Sequence, residues 1–510
     1  MDRQLNLERV RTNARPWDMV VIGGGATGVG CAVDAASRGH KVLLLEQHDL
    51  GKGTSSRSTK LIHGGVRYLR QGNISLVRES LRERGLLIKN APHVVHKQEF
   101  IIPCYSALQK CYYGAGLKLY DLLSGKYGLG NSKLLSRADV IDSLPRIKAE
   151  GLVGGVLYYD GQFDDTRLLI DLAKAAAMHD AVILNYARVT SLNKDSDGRL
   201  CGVSFTDIES GEQFDVQTRT VINATGIFTD DIRAMADESA KPMITFSQGV
   251  HLVFDGKLLG GEAAVMIPRT SDGRVLFCVP WHGHTIVGTT DTPVKSAELE
   301  PTALEVEIDF ILETAGNYLA RKPGRDDILS IFAGIRPLVS RSARVRTSSI
   351  SRGHELFVDA SGLVTITGGK WTTYRQMAED AVNKAAEVGR LKVQPCVTAD
   401  MSIDGPDTNE DQGAVPLHNV LPYTRNVVIR AVNEEMAVTV EDVLARRTRA
   451  LLLNAAAAIE MAEDVARIMA AEMGKNEAWI TEQAAAFRET AVKYLACQAD
   501  DHSVDTTSSP

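Results

Sequence analysis

Asp18-Met-Val-Val-Ile22 runs straight into Gly23-Gly24-Gly25-Ala26-Thr27-Gly28, and this junction constrains the fold more tightly than anything else in the chain. The apolar run reads as a buried parallel strand. Gly23, Gly25 and Gly28 have G-x-G-x-x-G spacing, and the small residues from Ala26 to about Arg38 predict a helix that Gly39 ends. Lys41-Val-Leu-Leu-Leu-Glu46 then predicts a second strand closed by an acid. In this order the first glycine permits a tight turn and the second lets backbone N–H groups reach a pyrophosphate. The third lets the helix lie close on the strand. Glu46 is placed to accept hydrogen bonds from a ribose diol and would repel a 2′-phosphate. Strand, glycines, helix, strand and acid together make a dinucleotide fold.

Two later segments point to FAD rather than NAD. Val221-Ile-Asn-Ala224-Thr225-Gly226 reads as a late strand ending in ATG, similar to the second dinucleotide-contact strand of flavoproteins. Thr365-Ile-Thr-Gly368-Gly369-Lys370 reads as a strand entering a glycine turn, with a helix start from Trp371. A helix N-terminus there would stabilise negative charge on a reduced flavin. No second G-x-G-x-x-G follows Gly30, so the expected electron donor is an organic substrate and not NAD(P)H.

The 510 residues are enough for two or three domains. A net charge of −7 argues against general nucleic-acid binding. The seven cysteines include no C-x-x-C, which leaves neither a disulfide framework nor a metal site indicated; Trp281-His-Gly-His284 reads as a turn. Without an apolar N-terminal core or a run of about 18 apolar residues, the expectation is a cytoplasmic protein with no spanning helix. Tyr105–Arg137 mixes Tyr and Leu with five Lys/Arg and one Asp. Such a segment can lie in a headgroup layer, the alternative being an ordinary amphipathic surface helix. Asp404–Gly413 reads as a linker, and Thr439-Val-Glu-Asp442 as a capping box before a helix over 450–471. Residues 501–510 read as a disordered tail.

The GGGATG junction, TSSRSTKLIHGGVRYL (Thr54–Leu69), NATG (Asn223–Gly226), VGTTD (Val287–Asp291), GIRPL (Gly334–Leu338) and GGKWTTYR (Gly368–Arg375) together resemble the FAD-dependent glycerol-3-phosphate dehydrogenases. These are similar to D-amino-acid oxidases. The resemblance implies an α/β plus α+β architecture: a discontinuous Rossmann-like FAD-binding domain, an antiparallel-sheet substrate domain and a C-terminal helical domain. The expected segments are 1–90, 155–245 and 330–395 for FAD, 91–154 and 246–329 for substrate, and 405–500 for the helical domain.

It also implies sn-glycerol 3-phosphate as substrate and a membrane quinone as acceptor, the alternatives being a glycerol-3-phosphate oxidase that uses oxygen or another amino-acid or hydroxy-acid oxidase of the same superfamily. A peripheral position at the inner face of the cell membrane follows from the quinone, and a homodimer is left open. Cofactor contacts are expected from Gly23, Gly25, Thr27, Gly28, Glu46, Thr54, Ser55, Ser56, Lys60, His63, Gly64, Gly65, Ala224, Thr225, Gly226, Gly334, Gly369, Lys370 and Thr372. Substrate contacts are expected from Arg67, Tyr68, Arg352 and Thr373, with Arg67 and Arg352 as bidentate phosphate clamps. His251 is the candidate general base, Arg336 would stabilise the developing alkoxide, and Lys370 faces the flavin or the phosphate. Arg57 and Arg70 are expected in solvent.

Overall fold

The computed structural model describes residues 1–70, 72–270, 273–339, 353–406, 411 and 413–496, without the side chains of Arg67 and Arg70. Arg352 and the expected tail at 501–510 lie outside the described residues.

Strand Met19–Ile22 sits inside a six-stranded sheet, between Val42–Leu45 and Val221–Asn223 and parallel to both. Val182–Leu184 and Val364–Gly368 extend it in parallel, and His354–Val358 closes one edge antiparallel. Strands Met19–Ile22, Val42–Leu45 and Val182–Leu184 are apolar and buried throughout because both faces are covered. Met19, Val21, Val42 and Leu44 face helices Ala26–Ser37, Asp165–Met178 and Tyr374–Val388. Val20, Ile22, Leu43 and Leu45 alternate to the other side, against Val189, Phe205 and Val216 of a three-stranded antiparallel meander.

The second sheet has ten strands, and its longest pairing joins Ile244–Asp255 to Ile328–Val339. Its described pairings are antiparallel except Ala264–Ile267 beside Val95–Cys104, which is parallel. No hairpin joins those two strands, so nothing local dictates their direction. Gly154–Phe163 pairs in this sheet and leads into helix Asp165–Met178 on the nucleotide sheet. Trp281-His282-Gly283-His284 is the expected turn, with φ of +47° at His282 and +73° at Gly283.

Helices Arg425–Glu435, Ala455–Met473 and Glu477–Ala491 form the C-terminal domain. Their core includes Val253, Trp281, Ile286 and Phe332, so the bundle is seated on the ten-stranded sheet. The helix expected over 450–471 is broken at Asn454, which is extended and caps the Ala457 N–H through its side chain at 3.1 Å. The Thr439–Asp442 box closes reciprocally: the Asp442 N–H donates to Thr439 Oγ1 at 3.2 Å, and the Thr439 N–H donates to Asp442 at 3.0 Å. What it starts is a buried π-helical turn, Asp442–Arg447.

Candidate active site

A cavity of 520 Å³ opens over the C-terminal ends of the six-stranded sheet and reaches the ten-stranded sheet. Its nucleotide end follows from the glycine junction. Gly23 has φ of +111°, and a Cβ there would lie 2.7 Å from the Ala224 carbonyl oxygen. A Cβ on Gly28 would fall 1.9 Å from the Gly23 oxygen, so only glycine lets the helix start this close to the strand. Glu46 Oε2 accepts from the Gly24 N–H at 2.6 Å and Oε1 from the His48 N–H at 2.8 Å. Those two bonds fix the carboxylate and leave lone pairs for a diol. Burial pushes the Glu46 carboxyl above its ordinary value, against the two backbone bonds.

At the helix N-terminus Ser55 Oγ accepts from the Ala26 N–H at 3.0 Å, while the next first-turn N–H groups have no intrahelical acceptor. Thr54 donates to the Ile335 carbonyl at 2.6 Å, and Trp371 Nε1 donates to the Ser55 carbonyl at 2.8 Å. This loop is thereby tied to strand Ile328–Val339 of the ten-stranded sheet and to the turn that follows Val364–Gly368. A bare glycine cradle, a helix N-terminus and an acid at the far strand end fit FAD.

At the other end His251, Arg336, Lys370, Tyr68 and His63 line the same cavity. His251 and Arg336 project from paired strands, each over a glycine. A Cβ on Gly288 would lie 2.3 Å from the His251 ring, and one on Gly249 would lie 2.2 Å from Arg336 Nη2. Thr59 Oγ1 is 2.9 Å from His251 Nε2, and the ring stacks on Phe332 with centroids 4.8 Å apart. Burial, then Arg336 and Lys60, hold the His251 pKa well below its ordinary value, so the imidazole is neutral near pH 7. Arg336 donates to the Thr290 carbonyl at 3.1 Å and Thr289 Oγ1 at 3.0 Å, and lies 3.9 Å from Asp291. Lys370 donates to Ser80 Oγ at 2.8 Å and sits 4.7 Å above the Tyr68 ring.

Gly23, Gly25, Thr27, Glu46, Thr54, Ser55, Ala224, Thr225, Gly226, Gly334, Gly369 and Thr372 also line the cavity. Six expected residues do not. Gly28 acts through close packing, as above. Ser56 is buried, its hydroxyl 3.4 Å from the Gly53 carbonyl. Lys60 is fully buried, bonded to Asp165 at 2.7 and 2.8 Å and to the Ser56 carbonyl at 2.7 Å, so its charge is already matched inside the protein. Gly64 and Gly65 make room for Tyr120 and Tyr68, which a Cβ would meet at 2.4 and 2.3 Å. Thr373 is buried and donates to the Lys370 carbonyl at 3.3 Å. The Arg67 side chain lies outside the described residues, as Arg352 does; the Arg67 backbone belongs to helix Val66–Arg70.

Arg57 departs furthest from expectation. It is 7% exposed, lines the cavity, and bonds Glu300 at 2.6 Å and the Ala333 carbonyl at 3.2 Å. Gly249, Gly288 and Ser80 were also missed, as was the contact of Thr59 with His251. The glycines stand opposite Gly334 and His251 across the sheet, a register that local spacing does not disclose.

The sequence model of the FAD dependent oxidoreductase family matches residues 18–375. That of the C-terminal domain of alpha-glycerophosphate oxidase matches residues 396–480. The chain is 39% identical to the mitochondrial glycerol-3-phosphate dehydrogenase of Homo sapiens, over 95% of this chain and 74% of that one. Its identity to the Mesocricetus auratus counterpart is 40%, with the same coverage. The crystal structure of the Bacillus halodurans glycerol-3-phosphate dehydrogenase complexed with FAD superposes with a TM-score of 0.78 at 28% identity, covering 97% of this chain and 98% of that one. With its glycine cradle, its flavin-sized cavity and these relatives, the chain belongs to the FAD-dependent glycerol-3-phosphate dehydrogenases.

Proposed function

We propose that the chain oxidises sn-glycerol 3-phosphate at C2 to dihydroxyacetone phosphate and delivers the electrons to a membrane quinone. The observation that carries the reading is the single cavity that runs from the dinucleotide cradle to His251, Arg336 and Lys370. FAD, held by the Gly23–Gly28 junction, Glu46, Thr54 and Ser55, supplies the hydride acceptor. His251, neutral and in a dry setting, takes the C2 hydroxyl proton. Arg336 stays protonated and stabilises the alkoxide and then the ketone oxygen, held in place by Thr289 and Thr290. Lys370, steadied by Ser80, faces the phosphate or the flavin edge, and Tyr68 supplies a hydroxyl donor. Arg67 and Arg352 are the phosphate clamps of this reading. Segments 1–90, 155–245 and 330–395 hold FAD, 91–154 and 246–329 carry the substrate side, and 405–500 is the helical domain.

The acceptor reading is supported by helix Ala107–Ser124. Leu108, Tyr112, Leu119 and Leu122 are exposed along one stripe, at 80%, 58%, 44% and 76%. Lys118 is on the same helix, Lys126, Lys133 and Arg137 follow it in the sequence, and the Ser132 hydroxyl donates to Asp121 at 2.6 Å. An apolar stripe rimmed by cations suits the surface of an anionic bilayer. No helix among the described residues is long and apolar enough to cross one. On this reading the enzyme works peripherally at the inner face of the cell membrane. Turnover with a short-chain quinone under anaerobic conditions, compared with oxygen alone, tests the acceptor. Fast quinone-dependent and slow oxygen-dependent turnover is expected, and the reverse makes the protein an oxidase.

A further inference from the structure

The loop from Asp49 to Arg57 lines the nucleotide end of the cavity through Gly51, Lys52, Gly53, Thr54, Ser55 and Arg57. Two of its charged side chains, Asp49 and Lys52, bond the C-terminal domain directly, and Arg57 reaches it through Glu300. Asp49, completely buried, accepts from Arg446 at 2.5 Å and from Arg447 at 2.7 and 2.8 Å. Lys52 donates to Glu441 at 2.6 and 2.7 Å. Arg57 bonds Glu300 at 2.6 Å, and Tyr494, near the end of the helical domain, donates to the same carboxylate at 2.9 Å. Glu441 in turn accepts from Arg446 at 2.7 Å, which closes the network.

The partners of Asp49 and Lys52 sit at the strained turn of the C-terminal domain. Asp442–Arg447 is a π-helical turn, and Arg449, just after it, has φ of +61°. Such segments persist only where the surroundings over-determine them. Buried charges of this kind also tolerate no loosening, since each would be left unpaired in a dry site. Burial alone would raise the Glu441 carboxyl, but Arg446 and Lys52 outweigh it and hold it at about 2.

We infer that the C-terminal helical domain is a working part of the FAD site: its Glu441–Arg447 turn and Tyr494 hold the Asp49–Arg57 loop in the conformation that receives the cofactor. Arg446, Arg447, Glu441 and Tyr494 are then positioning residues, acting through Lys52, Thr54, Ser55 and Arg57. Cofactor binding and docking of the helical domain are linked, and the linkage is reciprocal: FAD tightens the turn as the turn tightens FAD. The inference rests on FAD binding and is independent of the electron acceptor.

The test compares the full-length protein with and without FAD by amide hydrogen exchange. FAD is expected to slow exchange both at Gly23–Gly28 and at the remote Asp442–Arg447 turn. Protection at Gly23–Gly28 alone would leave FAD binding intact and overturn the linkage. Two variants read the same coupling as affinity. Glu441→Gln and the milder Tyr494→Phe are each expected to raise the dissociation constant of FAD, on the order of tenfold for Glu441→Gln, within the range usual for coupled sites. Unaltered affinity in a folded Tyr494→Phe, together with an exchange pattern at Asp442–Arg447 that ignores FAD, would overturn it. If Glu441→Gln does not fold, the exchange comparison and Tyr494→Phe decide alone.

Discussion

Lys60 and Arg57 stand three residues apart in a loop full of cations, and each is used differently from what its neighbours suggest. A lysine among serines, threonines and glycines reads as a phosphate contact. Its partner, Asp165, is far away in the sequence, so the pair is invisible until the chain folds. The same holds for Arg57, whose partner Glu300 is equally remote. Burial lowers the Lys60 pKa while Asp165 opposes that shift. Lys60→Met should therefore lower stability by about 3–5 kcal/mol, because Asp165 is left buried with its charge unmatched. Thermal melts check this: the melting temperature falls while the folded fraction keeps its yellow colour. An unchanged melt with lost flavin would return Lys60 to the cofactor. By contrast, Gly23, Gly25, Gly28 and Glu46 were legible because their task is local, a turn and a strand end within one unit.

At the level of elements, the strands Ile244–Asp255 and Ile328–Val339 bring His251 and Arg336 onto one surface, and Gly249 and Gly288 give them room. The motifs around His251 and Arg336 were readable, but the two glycines were not, because which residue faces which depends on register. Gly249→Ala puts a methyl group 2.2 Å from Arg336 Nη2 and must push the guanidinium aside. A fall in kcat of about tenfold or more is expected, equivalent to roughly 1.4 kcal/mol, with FAD content unchanged. Stopped-flow reduction and flavin absorbance measured on one preparation separate the two effects. The C-terminal helices were legible as a bundle but not in detail. Asn454 splits the expected helix because its side chain is worth more as a cap than in the interior of a helix.

For the whole molecule, the proposed function joins the exposed stripe on Ala107–Ser124 to the cavity: docked on a membrane surface, the enzyme would oxidise a soluble phosphate ester and pass the electrons to a quinone dissolved in the lipid. Leu122→Glu replaces an apolar contact with a charge of the wrong sign for an anionic bilayer. Binding to vesicles containing anionic lipid should weaken by about tenfold or more, since a buried Leu contributes roughly 1.5–3 kcal/mol. Co-sedimentation reads the loss, and turnover with a water-soluble quinone should not change. Equal sedimentation of both proteins would make the helix an ordinary amphipathic surface element. The overall architecture was legible because each layer has its own sequence signature: apolar runs for the parallel sheet, β-rich segments for the second sheet, an alanine-rich tail for the bundle. How the bundle reaches the cofactor loop was not, since Asp49–Arg447 and Lys52–Glu441 join the two ends of the chain.

In the proposed function His251, Arg336 and Lys370 act with FAD to oxidise sn-glycerol 3-phosphate. Its most direct test is anaerobic mixing of the purified holoprotein with that compound while the flavin absorbance is followed. Complete bleaching by sn-glycerol 3-phosphate and none by glycerol or D-amino acids is expected; a flavin that stays oxidised with sn-glycerol 3-phosphate would overturn the proposed function.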